Sequence, residues 1–273
     1  MSVRFFAPAK LNLSLDLGPA RPDGYHEIRS VMQAVSLGDR LHVVPARDLR
    51  VENPSVASGD LVLRAAEVFR AATGVRPAVA VTVQKRIPIG AGLGGGSSDA
   101  ACMLRALREL LLPDLPTGRL LEMAREIGSD VPFFLGAGPR ALAVGRGEIL
   151  TPLPPGPPRF AVIAWPGAGL GTREVYQASQ PGSGDATEQV LAGAEQARND
   201  LAPAALRLCE PLREMVERAR REGVRLQVTG SGSAAFALFA DGKAAWDAFV
   251  VLRRVVPRAI FCQTLEAWPW RLP

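Results

Sequence analysis

Five glycines within seven positions make residues 88–98 the segment that most limits how this chain can fold. The run reads Pro88-Ile-Gly-Ala-Gly-Leu-Gly-Gly-Gly-Ser-Ser98, and its serines open a helical pattern that extends to Leu111. Because glycine has no side chain, the backbone N–H groups of such a loop can converge on an oxyanion. The free amides and the dipole of the following helix also favour negative charge. The run therefore predicts a site for a phosphate chain, and the alternative is a flexible glycine turn.

Two common phosphate-binding patterns do not fit this run. A Walker loop has a lysine before its serine or threonine, and Gly96 occupies that position here. The spacing Gly90-x-Gly92-x-x-Gly95 matches the dinucleotide fingerprint, and Glu109 follows at about the expected distance. However, Glu109 falls inside the predicted helix, and a second helix follows it, so no βαβ unit closes. We interpret the dinucleotide match as accidental.

The charge of the chain fits a small polyanionic partner at least as well as a nucleic acid. The net charge is +5, but the 32 basic residues are spread along the chain without a run of five. The high isoelectric point leaves RNA binding as an alternative, which predicts strongly salt-dependent binding. Only Lys10, Lys85 and Lys243 are lysines. In a chain so rich in arginine, a lysine indicates a position that needs a compact ammonium group.

Composition also narrows the compartment and the kind of site. No run of 18 uncharged apolar residues indicates a membrane span, and the N-terminus becomes charged too early for a secretory signal, so we expect a cytoplasmic protein. The three cysteines, Cys102, Cys209 and Cys262, show neither disulfide nor metal-ligand spacing. Two histidines are too few for a multi-histidine metal site. The sequence shows no cluster of carboxylate residues, so we do not predict a metal site formed directly by such a cluster.

Hydrophobic periodicity predicts mixed helices and strands in two parts. Alternating leucines predict a half-buried strand over Leu11–Leu17, and further strands are expected at Ser30–Val35 and Arg40–Val44. Helical spacing is present in Gly59–Ala72, Ser98–Leu111 and Thr117–Ile127. The proline-rich run Thr151–Pro158 resembles a linker. We therefore predict an N-terminal domain over residues 1–152 and an α+β C-terminal domain over residues 159–273.

Three motifs together resemble the GHMP kinases, the superfamily of galactokinase, homoserine kinase and mevalonate kinase. They are Pro8-Ala-Lys-Leu-Asn12, the glycine run, and Gly230-Ser-Gly-Ser-Ala234. The resemblance implies the two-domain α+β GHMP kinase fold, with the active site in the cleft between the domains. It also implies ATP and Mg2+ as cofactors. The residues that it assigns to ATP are Pro88, Ile89, Gly90, Ala91, Gly92, Leu93, Gly94, Gly95, Gly96, Ser97 and Ser98.

Further segments resemble one family within that superfamily, the 4-diphosphocytidyl-2-C-methyl-D-erythritol kinases. The most specific is Arg21-Pro-Asp-Gly-Tyr-His26, and Ser129-Asp-Val-Pro132 and Asn199-Asp-Leu201 support it. The resemblance implies ATP-dependent phosphorylation of the 2-hydroxyl of a cytidine diphosphate substrate in the non-mevalonate isoprenoid pathway. The alternatives are another GHMP kinase, such as a homoserine or mevalonate kinase, and a binding protein that has lost catalysis. A binding protein would be expected to lack Lys10 or Asp130, which are both present.

Lys10 and Asp130 are the predicted catalytic residues. A hydroxyl that attacks a phosphoryl group needs a proton acceptor, and Asp130 follows a helix on a predicted turn. Asp130 could instead cap a helix that begins at Pro132. A cation at Lys10 would keep that carboxylate ionised and could stabilise transferred charge. The alternative for Lys10 is a strand-end lysine that faces solvent.

The predicted substrate-binding residues are Asn12, Tyr25, His26, Thr172 and Tyr176. Tyr25 and His26 lie on an exposed turn, where an aromatic ring could stack on a base and an imidazole could bind its edge. The resemblance implies that this base is cytosine. It places Thr172 and Tyr176 on the other side, although Gly171 and Arg173 depart from the family pattern.

Three further positions have weaker predictions. Gly59-Asp-Leu61 lacks the asparagine that relatives carry before the first helix, which puts one polar contact near the adenosine in doubt. Lys85 could border the adenine pocket or face solvent. We expect His42, in an alternating segment, to be structural.

Overall fold

The strands lie in two sheets, one on each side of the proline-rich run. The computed structural model describes residues 2–21, 26–53, 60–136 and 138–271. The first sheet contains β1 (Val3–Asn12), β2 (Asp16–Ala20), β3 (His26–Pro45), β4 (Arg50–Glu52), β5 (Val79–Gln84), β6 (Arg140–Gly145) and β7 (Ile149–Pro152). The second sheet contains β8 (Phe160–Trp165), β9 (Gln227–Val228), β10 (Ala235–Phe239) and β11 (Arg258–Gln263).

Helices cover the outer faces of both sheets. Those of the first half are α1 (Leu61–Thr73), α2 (Gly95–Leu111), α3 (Thr117–Ile127) and α4 (Phe133–Gly136). Those of the second half are α5 (Thr172–Ala178), α6 (Ala186–Leu191), α7 (Ala202–Leu208), α8 (Glu210–Arg221) and α9 (Gly242–Val255). The three helices predicted in the first half are present, and the predicted α+β class is confirmed. Within the described residues, no helix combines the length and the apolar character that crossing a membrane requires.

The long strand β3 organises the first sheet. One of its edges pairs with β1 and β2, and the other pairs with β5 and β6. The prediction of two strands, Ser30–Val35 and Arg40–Val44, is wrong because β1 pairs with both halves of a single strand. The ladder between β1 and β3 only skips Ser36 and Leu37, which form a bulge. β3 therefore runs without a break from His26, its first residue, through the interior of the sheet.

An apolar interface joins the two halves of the molecule. On β8, Val162 and Ala164 pack against the helices of the second half, as the alternation of a strand requires. Ala161 and Ile163 point the other way and belong to the same buried cluster as Leu11 of β1. The same cluster includes Ala91 and Leu93 of the glycine run. Burial of this shared cluster therefore fixes the position of one half relative to the other, and residues of the glycine run are part of the cluster.

The leucine-rich segment that was predicted to be half-buried is buried on both faces. Asn12, Ser14 and Asp16, which alternate with the leucines, are all buried. The second half supplies partners for the side chains of Ser14 and Asp16. The hydroxyl of Ser14 lies 3.1 Å from that of Thr187, and the carboxylate of Asp16 accepts hydrogen bonds from the backbone N–H groups of Ala186 and Thr187. Alternation alone could not show that a second domain covers the polar face.

The C-terminal tail returns to the first sheet. The backbone carbonyl of Trp270 accepts a hydrogen bond from the N–H of Phe6 at 3.1 Å. The Trp268 ring packs edge-on against Phe133 at 5.5 Å, and the guanidinium of Arg105 stacks over Trp270 at 4.1 Å. The division into residues 1–152 and 159–273 assigns this tail to the second domain, and that division stays a prediction.

A buried ionic group lies beneath the glycine run. The ammonium of Lys85, directly after β5, hydrogen-bonds the carboxylates of Asp39 on β3 and Asp99 on α2. The side chains of the three residues are 9%, 0% and 3% exposed, respectively. The prediction that Lys85 could face solvent is therefore wrong.

One ammonium group cannot neutralise the charge of two buried carboxylates, and the pKa of Asp99 is raised. Asp39 also accepts hydrogen bonds from the backbone N–H groups of Arg86 and Ile87. Burial raises the pKa of Asp99 to about 8, the charges of Asp39 and Asp60 add to the effect, and Lys85 opposes it. For Lys85, burial lowers the pKa, but the charges of Asp99 and Asp39 outweigh it and raise the value.

We predict that Asp99 makes the nucleotide-free protein less stable as pH rises from about 4 to about 8. In this range the carboxyl is ionised in the unfolded chain, whose pKa is about 3.9, but protonated in the folded chain, so folding takes up a proton. The free energy of unfolding of Asp99→Asn relative to the wild type should rise with pH, by up to about 1.4 kcal/mol per pH unit. Denaturant titrations at several pH values measure this difference.

The exposed pair of Lys243 and Asp247 on α9 provides the control. Asp247→Asn should show no such pH-dependent difference. A difference between Asp99→Asn and the wild type that stays constant from pH 5 to pH 8 would contradict the prediction.

Candidate active site

The glycine run forms the loop between β5 and α2. Gly90, Gly92 and Gly94 have positive φ angles of 65°, 74° and 70°, a region that other residues rarely adopt. At Gly92 space is limiting as well. A Cβ atom there would lie 2.4 Å from the carbonyl oxygen of Thr229, so even alanine would force the backbones apart. The glycines are therefore needed both for the turn and for the close approach of the second half.

Backbone hydrogen bonds tie this loop to both halves of the molecule. They join Lys10 N–H to the Leu93 carbonyl at 3.0 Å, Ala234 N–H to the Ala91 carbonyl at 3.0 Å, and Leu170 N–H to the Gly90 carbonyl at 3.2 Å. The loop thus lies between β1 and the second glycine-rich motif, residues 230–234. The three motifs noted in the sequence are brought together by direct contact.

The loop ends at the N-terminus of α2, which is suited to an anion. Gly94 is the N-cap residue and accepts the hydrogen bond from Ser98 N–H at 2.9 Å, which leaves the preceding amides without partners inside the helix. The hydroxyl of Ser98 is buried and has no hydrogen-bond partner among the described residues. A buried polar atom without a partner is destabilising unless a ligand or water completes it.

Lys10, Asn12 and Asp130 meet beside the loop. The Lys10 ammonium donates to the Asn12 side-chain oxygen at 2.6 Å and lies 3.5 Å from Asp130 Oδ2. The Lys10 side chain is 5% exposed and that of Asp130 is 31% exposed. The alternative of a solvent-facing Lys10 is therefore wrong. The buried ammonium holds a carboxylate that is still open to a ligand.

Asp130 lies on the turn between α3 and α4, as the sequence predicts. Among the described residues, no backbone N–H of α4 donates to its side chain, so it does not cap that helix there. In α4 the amides of Phe134 and Leu135 donate to the backbone carbonyls of Val131 and Pro132. The side chain of Asp130 points towards Lys10 instead.

His26 and Tyr176 lie together near Asp130. Their ring centroids are 5.9 Å apart with an interplanar angle of 36°. Burial, and then the negative charge of Asp130, raise the pKa of the Tyr176 phenol, which keeps it a neutral donor. Nδ1 of His26 is buried without a hydrogen-bond partner among the residues that the structure describes. Tyr25 lies outside the described residues.

Thr172 opens α5, one turn before Tyr176. Its hydroxyl lies 3.0 Å from that of Ser231 in the second glycine-rich motif. Thr172 is therefore next to that motif.

Some contributors to the site were not identified as such from the sequence. The Asn199 side chain donates to the carbonyls of Val228 and Gly230 at 2.9 and 2.8 Å and so fixes the second glycine-rich motif. The hydroxyl of Thr229 accepts a hydrogen bond from the Asn12 N–H at 2.9 Å. The motif that contains Asn199 and Asp200 was recognised in the sequence. The hydrogen-bond partners of Asn199, however, lie about 30 residues further along the chain, and residue spacing over that distance does not predict a contact.

Comparison with known proteins identifies the superfamily over both halves. The family described as "GHMP kinases N terminal domain" matches residues 60–138, and "GHMP kinases C terminal" matches residues 183–256. The predicted two-domain α+β GHMP kinase fold is confirmed.

Relatives across the full length identify the family. A 4-diphosphocytidyl-2-C-methyl-D-erythritol kinase from Pelotomaculum thermopropionicum is 39% identical over 97% of this chain and 99% of its own. One from Anaeromyxobacter sp. is 38% identical over 100% of this chain and 96% of its own.

Solved structures agree. A crystal structure of a 4-(cytidine 5'-diphospho)-2C-methyl-D-erythritol kinase covers 96% of this chain and 98% of its own at 39% identity, with a TM-score of 0.81. The homoserine kinase of Cytophaga hutchinsonii superposes with a TM-score of 0.70, but its 17% identity supports the fold alone. The chain is a small-molecule kinase, and it belongs to the 4-diphosphocytidyl-2-C-methyl-D-erythritol kinase family of the GHMP kinases.

Proposed function

We propose that this kinase transfers the γ-phosphoryl group of ATP to the 2-hydroxyl of 4-diphosphocytidyl-2-C-methyl-D-erythritol, a step of the non-mevalonate isoprenoid pathway. The observation that carries the proposal is the pair of Lys10 and Asp130, 3.5 Å apart beside the glycine loop. It supplies a candidate base and a positive charge next to a candidate phosphate site.

The glycine loop is the proposed ATP site. Its positive-φ glycines form a turn that residues with side chains rarely adopt, and the open amides at the start of α2 attract an oxyanion. This supports residues 88–98 as the groups that hold the phosphate chain. ATP is the phosphoryl donor of the superfamily.

The donor set at the loop is compatible with Mg2+. The described residues contain no cluster of three or more His, Cys, Asp or Glu side chains placed to hold a metal. Magnesium does not require one, because it is commonly bound by substrate phosphates, waters and one or two protein oxygens. The unpartnered hydroxyl of Ser98 is the proposed protein ligand. When bound, the ion would neutralise charge on the phosphate chain.

Asp130 is the proposed general base. As the acceptor oxygen forms its bond to the γ-phosphorus, the bond to the bridging oxygen breaks and ADP leaves with that electron pair. The proton of the acceptor hydroxyl passes to the Asp130 carboxylate. Lys10, held in place by Asn12, stabilises the negative charge on the acceptor and on the transferred group.

His26, Tyr176 and Thr172 are the proposed groups for the cytidine end of the substrate. The unpartnered Nδ1 of His26 can bond the edge of a base, and the neighbouring Tyr176 ring supplies an apolar face. Thr172 lies one helical turn away on the same face of α5. The contribution of Tyr25 stays a prediction from the sequence.

No observation in the structure favours a homoserine or mevalonate kinase as a second function. The absence of a nucleic-acid partner and the cytoplasmic location stay predictions from the sequence.

We predict that the purified protein with ATP and Mg2+ releases ADP when 4-diphosphocytidyl-2-C-methyl-D-erythritol is added, but not with homoserine or mevalonate. A coupled assay for ADP measures this, and phosphorus NMR of the product locates the new phosphate. ADP release with homoserine or mevalonate but not with the cytidine substrate would contradict the proposal.

We predict that Asp130→Asn lowers kcat by a factor of about 10² to 10⁴, because the amide cannot accept the proton. Asp114→Asn, at an exposed position before α3, is the matched control and should leave kcat unchanged. Both variants should unfold at the wild-type temperature, which shows that the loss is chemical. Near-normal turnover of Asp130→Asn would exclude its role as the base.

A further inference from the structure

The buried group of Asp39, Lys85 and Asp99 touches both stems of the glycine loop. Asp39 Oδ1 accepts hydrogen bonds from the backbone N–H groups of Arg86 and Ile87, the residues that lead into the loop. Asp99 directly follows Ser98, on the first turns of α2. Lys85 hydrogen-bonds both carboxylates and so connects the two stems through one ammonium group.

The group also lies next to the part of the loop that faces the catalytic pair. A Cβ atom on Gly95 would lie 3.4 Å from Asp39 Oδ2, and one on Gly94 would lie 3.0 Å from Lys10 Cγ. Adjacent loop residues therefore contact the buried group and the catalytic lysine. A shift of one stem would move the phosphate-binding amides relative to Lys10.

The cost of burying these charges indicates a role other than stability. Buried ion pairs add little net stability compared with well-packed apolar side chains, because desolvation offsets their attraction. Here three ionisable side chains are at most 9% exposed. Apolar residues could fill the same space but could not hold the backbone N–H groups of Arg86 and Ile87.

A glycine loop needs such an anchor. Glycine loses more conformational freedom on ordering than any other residue, and three glycines here adopt positive φ angles. If both stems are fixed before the nucleotide binds, binding does not have to order the loop. The effect is specific to the phosphates because the loop ends in the helix N-terminus that holds them.

We propose that Lys85, through Asp39 and Asp99, is a positioning residue that presets the glycine loop for the phosphate chain of ATP. The proposal rests on the proposed ATP site but not on the identity of the acceptor. It assigns Lys85 to the phosphates and not to the adenine base.

The test is Lys85→Met, which keeps the length of the side chain and removes its charge. Equilibrium binding of ATP is measured without acceptor, and binding of inorganic tripolyphosphate is measured by competition with ATP. We expect the Kd of both ligands to rise by about tenfold to hundredfold, as for a misplaced binding group. The KM for the cytidine substrate should stay within about twofold of the wild type, because its proposed contacts lie elsewhere.

Lys243→Met is the matched control, since Lys243 is 85% exposed and pairs only with Asp247 within the described residues. It should change neither Kd. The binding measurements can be made even if the wild type binds ATP but does not phosphorylate the cytidine substrate. A failure of the acceptor proposal is therefore distinguishable from a failure of the proposal for Lys85.

Two outcomes would overturn the proposal. In the first, the Kd for ATP rises while that for tripolyphosphate does not, which would assign Lys85 to the base. In the second, neither Kd changes. If Lys85→Met does not fold, Asp99→Ala is tested in its place. This variant frees only the stem at the start of α2. The same results are expected, and the same results would overturn the proposal.

Discussion

The contact between the glycine loop and the second glycine-rich motif is the constraint on which the rest of the structure depends. At Gly92 the loop approaches the Thr229 carbonyl so closely that no Cβ fits, and the Ala91 carbonyl accepts the N–H of Ala234. On its other side the loop accepts the backbone N–H of Lys10. One turn of backbone therefore fixes the proposed phosphate site, the proposed catalytic lysine and the position of the second half relative to the first.

Residues whose chemistry depends on local sequence could be predicted. The glycine spacing before a strong helical pattern predicted a glycine loop leading into a helix, and the structure has that loop at the start of α2. Its role in phosphate binding stays a prediction. The scarcity of lysine pointed to Lys10, Lys85 and Lys243. The ammonium groups of Lys10 and Lys85 are buried against carboxylates, whereas Lys243 is exposed and pairs with Asp247 on α9. The turn of Asp130 was also expected, although its distance to Lys10 could be inferred only from the family resemblance.

Features that depend on distant parts of the chain could not be predicted in this way. The polar residues of the leucine-rich segment looked solvent-exposed by alternation, but α6 and the residues around Asn199 bury them. Asp39 occupies a strand position that gives no local sign of a partner 46 residues away. The continuity of β3 depends on β1 pairing across the bulge. In each case the deciding energy comes from tertiary contacts, which override local pattern.

The geometry of transfer is tested most directly by a crystal structure with an unreactive ATP analogue, Mg2+ and 4-diphosphocytidyl-2-C-methyl-D-erythritol bound together. We expect the terminal phosphate on the amides of residues 90–98 and the 2-hydroxyl oxygen within about 2.6–3.2 Å of an Asp130 carboxylate oxygen. A 2-hydroxyl placed out of reach of Asp130, with the phosphate chain away from the glycine loop, would contradict the account.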